Sequence, residues 1–266
     1  MKTGVAALLM LVFSFAVSST EFEDASAEQN PIKIVGLQVP WLLDFDKPGP
    51  YNQIADELLL NQPQQISFEI LPLMRAMRHF FEGDADCFFV GDVDEAYFKQ
   101  SPLANVPILV SEPFNTVAMR IFSFDREKPY SSIDQISDQR VAVDLGVGGI
   151  IRIRKVIPEL AQAFDALNAD QVHFMLTRRR AEAALMMDYD YALFAARNPT
   201  KPKLQYDPAV AIEPANDAIM CKKNKRTEAL IAHVNARIEE MNRSGELQAL
   251  LHTAPTSDQQ PQMAQE

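Results

Sequence analysis

One short phrase occurs twice in this chain. Asp84-Ala-Asp86 leads into Cys87-Phe-Phe-Val90, and Asp188-Tyr-Asp190 leads into Tyr191-Ala-Leu-Phe194. Each copy closes a helix-like run and opens an apolar strand-like one, and 188 − 84 and 190 − 86 give the same offset of 104 residues. That spacing is too long for a solenoid unit and suits two similar lobes of ordinary domain size. Two lobes leave a cleft between them.

The N-terminal residues bear on where such a cleft works. Lys2 precedes an apolar run from Val5 to Val17, and Ser18-Ser-Thr20 and the acidic stretch Glu21 to Asp24 follow. This pattern predicts a secretory signal peptide over residues 1–27, cleaved after Ser19 or after the Ala25-Ser-Ala27 triplet. A lipid anchor is not expected, because no Cys follows the apolar run. The expectation is a soluble, exported protein, most simply periplasmic.

With 47% hydrophobic residues, the mature chain has enough apolar material to build a core without staples. Cys87 and Cys221 are the only cysteines, each in an apolar strand-like run. Buried free thiols are the ordinary reading of such positions, and in an oxidising compartment a disulfide stays open as the alternative. The formal net charge of −11 argues against nucleic acid and against anionic membrane surfaces as partners. The four histidines, at 79, 173, 233 and 252, lack metal-site spacing, so neither a metal nor a cofactor is expected.

Periodicity organises the rest. Ile32 to Leu37 and Ile66 to Leu71 read as strands around a helix from Tyr51 to Leu60, a β-α-β unit. Pro72 to Glu82 reads as a helix stopped by Gly83, and Cys87 to Val90 as the next strand. Val117 to Phe124 is strand-like, and the charged, turn-rich segment Asp125 to Ser132 reads as a crossing between lobes. The second lobe is predicted as strand Arg140 to Asp144, a glycine loop over 146–149, helices Ile150 to Val156 and Pro158 to Ala166, strand Val172 to Leu176, helix Arg178 to Met187 and a strand opening at Asp188. Ala209 to Met220 reads as a return strand or a pair of strands, Thr227 to Met241 as an amphipathic helix, and the tail from Thr253 as disordered.

Several of these pieces together resemble the type II periplasmic solute-binding proteins, in particular the family 3 group associated with polar amino-acid uptake through ABC transporters. The matching segments are Ile32 to Pro40, Phe81-Glu-Gly-Asp-Ala-Asp86, Ser111-Glu-Pro-Phe114, Ile133 to Gly146, Ala183 to Leu193 and Val234 to Leu247. The resemblance covers Ile32 to about Leu251. It implies two α/β lobes joined by two hinge strands, here Val117 to Ile121 and Ile219 to Lys222. Lobe 1 is then 28–118 plus 219–252 and lobe 2 is 119–218. The implied function is non-enzymatic: capture of one small ligand by a monomer, for an ABC permease or, alternatively, a membrane sensor. An enzyme on the same scaffold ranks third.

The expected ligand-binding residues are Trp41, Tyr51, Arg75, Gly91, Asp92, Gly146, Gly148 and Gly149. Trp41, the only Trp, follows the first strand and suits stacking on a ligand, though packing explains it equally well. Tyr51 has a weaker claim. Arg75 starts a helix after a strand, where a solvated arginine is the bland alternative. Gly91 and Asp92 follow the strand Cys87 to Val90, and the 146–149 loop would point N–H groups toward an anion, with an ordinary glycine turn as the alternative. Family members pair the ligand carboxylate with an Arg after the first-lobe strand and its amine with an Asp after the second. Those positions are read here as Phe98, beside Lys99, and Ala195, with Arg197 two residues on, so a free α-amino acid is disfavoured. The basic triplet Arg178-Arg-Arg180 reads as solvated surface, and the aspartates of the repeated phrase as turn formers rather than ligand contacts.

Overall fold

A computed structural model of the chain describes residues 30–59, 62–91, 103, 105–147, 153–154 and 157–252. Among them, β1 (Ile32–Leu37) is flanked in parallel by β2 (Ile66–Leu71) and β3 (Cys87–Gly91). Helix α1 (Pro50–Leu59) buries Tyr51, Ile54, Ala55 and Leu58 on one side of this sheet, and α2 (Leu73–Glu82) buries Ala76 and Phe80 on the other. Gly83 ends α2 at φ 99°, a left-handed cap that glycine adopts without a Cβ penalty.

The second half has the same construction. β6 (Arg140–Asp144) lies parallel to β7 (Gln162–Ala166) and to β8 (Ala183–Met187), and β5 (Asn115–Phe122) runs antiparallel to β8. Helices α3 (Ala169–Thr177) and α4 (Asp188–Arg197) supply the apolar faces that cover it. With β9 (Glu213–Lys222), the full order is β2-β1-β3-β9-β5-β8-β6-β7, and the short β4 (Ile108–Val110) also pairs to β9.

Strand β9 is common to both halves. Residues 213–217 pair with β5, and residues 218–221 pair with β3, while 220–222 also pair with β4. The chain then returns to the first half as α5 (Lys225–Ser244) and α6 (Glu246–His252), whose Leu230, Val234, Ile238 and Leu247 join the core under α1. A capping box between Asn224 and Thr227 starts α5, and Gly245 stops it at φ 79°.

Cys87 and Cys221 stand opposite each other across β3 and β9 and form a disulfide. Of the two alternatives open from sequence, pairing is the one the antiparallel register brings about. The separation of 134 residues is spanned because β9 is the last strand in sequence but central in space.

Four expectations for the second half are corrected. The predicted helix Pro158 to Ala166 contains the edge strand β7, and the predicted strand Val172 to Leu176 lies inside helix α3. The predicted helix Arg178 to Met187 contains strand β8, and the phrase beginning at Asp188 opens helix α4 rather than a strand. The two Asp-x-Asp copies are therefore not equivalent corners. Asp86 precedes a strand and accepts a hydrogen bond from the Lys33 backbone N–H at 2.9 Å, whereas Asp188 and Asp190 occupy the first turn of a helix, where acidic groups complement the dipole. The segment 125–132 stays with the second half, since Tyr130 packs in its core and Ser123 pairs with Gln205. The passages between halves run instead from Ser111 to Asn115 and through β9 at Asp217–Ala218.

Candidate functional site

In both halves, the loops after parallel strands gather on one side. Open α/β sheets bind ligands outside the carboxyl ends of their strands. Leu37 to Trp41 follow β1, and Pro72 and Leu73 follow β2. From the other half come Asp144 to Gly146 after β6, Leu167 to Asp170 after β7, and Asp190, Leu193 and Arg197 on α4 after β8. Together these residues line a cleft of about 310 Å³.

Trp41 is held in place by its loop. Its backbone is left-handed, at φ 70°, an uncommon state for a bulky residue and one that recurs at ligand sites. Buried Asp44 accepts hydrogen bonds from Gln38 and from the Asp46 N–H, and Asn52 accepts from the N–H groups of Asp44 and Gly49. A Cβ on Gly49 would lie 2.0 Å from the Trp41 carbonyl oxygen, so only glycine permits this crossing of the backbone. The guanidinium of Arg197 sits 4.4 Å from the Trp41 ring centroid, and the Lys47 ammonium sits 5.2 Å from it.

The polar part of the cleft includes two carboxyl groups, Asp144, which is buried, and Asp190, which is half-buried. Asp144, 2% exposed, accepts the Gly146 N–H at 2.6 Å through Oδ1, while its Oδ2 is buried with no hydrogen-bond partner among the described residues. A Cβ built on Gly146 would lie 2.7 Å from an Asp190 oxygen and 3.0 Å from Asp144 Oδ1. The glycine thus lies between the two acids and leaves them room to face each other. Burial raises the Asp144 carboxyl to about 7, partly offset by the Gly146 N–H. Asp190 is also pushed well up, chiefly by burial and then by the charges of Asp144, Asp217 and Asp188.

Arg197 is engaged within the chain. It lies 3.6 Å from Asp170, which Lys201 also contacts at 3.1 Å. Burial lowers its pKa against the opposing effect of Asp170, and its Nε is buried without a hydrogen-bond partner among the described residues. Asp188, beside the pair, has a structural part: it accepts from the Ala118 N–H and from Arg120, both at 3.0 Å, and so fixes the start of α4.

Of the residues singled out from sequence, Trp41 and Gly146 line this cleft. Tyr51 and Arg75 are not among its lining residues. Tyr51 is fully buried, donates to Asp217, accepts from Asn115 at 2.7 Å and stacks on Tyr189. Arg75 is exposed on α2. Gly91 ends β3 opposite Ala218, next to a Val90 at φ 67°. Asp92, Gly148, Gly149, Phe98 and Lys99 lie outside the described residues. Ala195 sits two turns into α4 rather than directly after a strand, so the position following β8 is Asp188, and the acid that reaches the cleft is Asp190. The reading of the second phrase as a mere turn former is corrected on this point. The available signal was the rule of strand carboxyl ends, which also picks out Asp144 at the end of β6.

A doubly lobed α/β body with a cleft at the carboxyl ends of its strands defines the class, and the chain has the type II periplasmic solute-binding fold. No protein-family model and no curated protein matches it. Among solved structures, the GluR0 ligand-binding core in complex with L-glutamate is 13% identical, at a TM-score of 0.64 over 85% of this chain and 99% of that one. The probable amino-acid ABC transporter extracellular-binding protein YtmK from Bacillus subtilis is 14% identical, at a TM-score of 0.60 over 83% of this chain and 95% of its own. A double mutant of the BvgS VFT2 domain from Bordetella pertussis is 17% identical, at 0.60 over 85% of this chain and 94% of its own.

Proposed function

We propose that this chain is an exported solute-binding protein that captures one small polar ligand between its lobes and passes it to an ABC permease, without chemical turnover. The observation that carries this reading is the cleft itself. It is lined from both halves of the sheet and contains a buried carboxyl oxygen, Asp144 Oδ2, that has no hydrogen-bond partner among the described residues. Buried polar atoms without partners are costly, and a ligand donor at this point removes the cost.

The likeness to YtmK supports the transport reading, and the likeness to the BvgS domain supports a sensory module as the second one. Lobe 1 ends at the passage Ser111 to Asn115 and resumes at Ala218, lobe 2 lies between, and closure is a hinge motion about the strands that join them. The disulfide suits an oxidising compartment such as the periplasm, reached through the leader at 1–27. No helix among the described residues is long and apolar enough to cross a membrane.

A thermal-shift screen against amino acids, amines, small acids, peptides and sugars tests the reading. A ligand at a hundred times its Kd stabilises the folded state by about 2.7 kcal/mol. One chemical class is expected to raise Tm and to be recovered unaltered. Conversion of the bound molecule, or silence across all five classes, refutes the proposal.

A further inference from the structure

The cleft carries more chemical information than its shape. Its one arginine among the described lining residues, Arg197, already faces Asp170 and the Trp41 ring, and Asp170 has Lys201 as a second cation. Asp144 and Asp190 have no such cation in contact among the described residues. They lie within 3.0 and 2.7 Å of one point, the position of a Gly146 Cβ, so their oxygens are separated by less than the sum of those distances. A single ammonium group can touch both. The described residues include no group of three side chains suited to a metal ion, which leaves an organic cation as the natural counterpart. Around the acids, Leu37, Leu145 and Leu193 supply apolar wall and Trp41 supplies an aromatic one. Taking roughly 30 Å³ per small group, the cleft holds on the order of ten non-hydrogen atoms.

Resting on the solute-binding reading above, we infer that the ligand is a compact organic cation, a primary amine with an apolar or aromatic body and no carboxylate, whose ammonium is held between Asp144 and Asp190. Arg197 then closes the far side against Trp41 and is not a carboxylate clamp.

The two acids must lose their protons to hold the cation, so binding releases protons and strengthens with pH. The charged or titratable groups facing them are Asp188 and Tyr189 on α4, Asp217 on β9, Arg197 on α4 and Asp170 on α3. Asp188 is taken up by Arg120, Asp217 accepts from Tyr51, and Asp170 faces Arg197 and Lys201. These partners leave the Asp144–Asp190 pair as the groups that titrate with the cation.

Calorimetric titration of the full chain with phenethylamine, 2-phenylethanol, 3-phenylpropionate, L-phenylalanine and 1,4-diaminobutane tests the inference. An amine is expected to bind, with affinity rising up to about tenfold per pH unit between pH 6 and 8 for each proton released. Its neutral and carboxylated counterparts are expected not to bind. Asp144→Asn and Asp190→Asn should each weaken the amine by about ten- to a hundredfold while circular dichroism reports an intact fold. Tighter binding of L-phenylalanine or 3-phenylpropionate than of the matching amine overturns the inference and leaves the solute-binding reading standing. Unchanged amine affinity in both variants, or loss of affinity with rising pH, overturns it in the same way. If neither amine binds while the five-class screen finds another ligand, only the cation assignment falls. If that screen is silent as well, both fall.

Discussion

Asp144→Asn isolates the energetic cost of the cleft. In the unfolded chain the Asp144 carboxyl loses its proton near its ordinary 3.8, and in the folded protein burial holds the proton until about pH 7. Between those values the folded state binds more protons than the unfolded one, so this group makes stability fall as pH rises. Below pH 4 both states are protonated and the penalty is absent. At about 1.36 kcal/mol per pH unit, ionisation costs the unliganded fold roughly 4 kcal/mol by pH 8. The amide keeps an acceptor for the Gly146 N–H and cannot ionise, so it mimics the protonated acid at every pH. Parent and variant are expected to unfold alike at pH 4, and the variant to be more stable at pH 8 by up to about 4 kcal/mol, or roughly 10 °C in Tm for a domain of this size. Urea unfolding from pH 4 to 8 measures the difference; subtracting the two curves cancels distant groups such as Glu182, whose pKa its Arg140 hydrogen bond lowers, and leaves Asp144 together with the part of the Asp190 titration that the Asp144 charge raises. A difference that stays flat across that range refutes the assignment of the cost to Asp144.

Three further outcomes follow from other parts of the fold. Replacing Cys87 and Cys221 together by Ala opens a loop of 134 residues and should cost about 4 to 5 kcal/mol in denaturant unfolding; a loss below 1 kcal/mol contradicts the chain-entropy account. Tyr51→Phe removes a buried hydroxyl bonded to both Asp217 and Asn115, and is expected to destabilise by about 1 to 3 kcal/mol, read from the urea midpoint. Trp41→Ala should weaken phenethylamine binding by roughly three- to thirtyfold through loss of ring contact, and equal affinity by calorimetry shows that the indole does not touch the ligand.

The first half was legible in sequence because its strands and helices have distinct periods. Ile66 to Leu71 alternates between core and solvent, and α2 has a stripe ended by Gly83. The second half misleads at β8, whose Ala183-Ala-Leu-Met-Met187 is buried almost throughout and is made of good helix formers. Pairing with β5 and β6 overrides that propensity. Once β8 is read as helix, the neighbouring elements shift out of phase, and Asp190 is moved from the cleft into a turn. Trp41 and Gly146 could be found from local pattern, since each follows a strand. The facing of Asp144 and Asp190 could not, because it depends on β6 and β8 being neighbours in space across 46 residues of chain, counting from 144 to 190.

The position of β9 also dictates when the fold can exist. The strand made last lies between β3 and β5, so until residue 222 is available the sheet has open edges on both and Cys87 has no partner. Exposed edges invite pairing with other chains, and pairings this distant in sequence form slowly. A half-made chain therefore cannot lock prematurely. Pulse alkylation during synthesis should find the Cys87 thiol open until β9 emerges, and protection before that point contradicts this order of assembly.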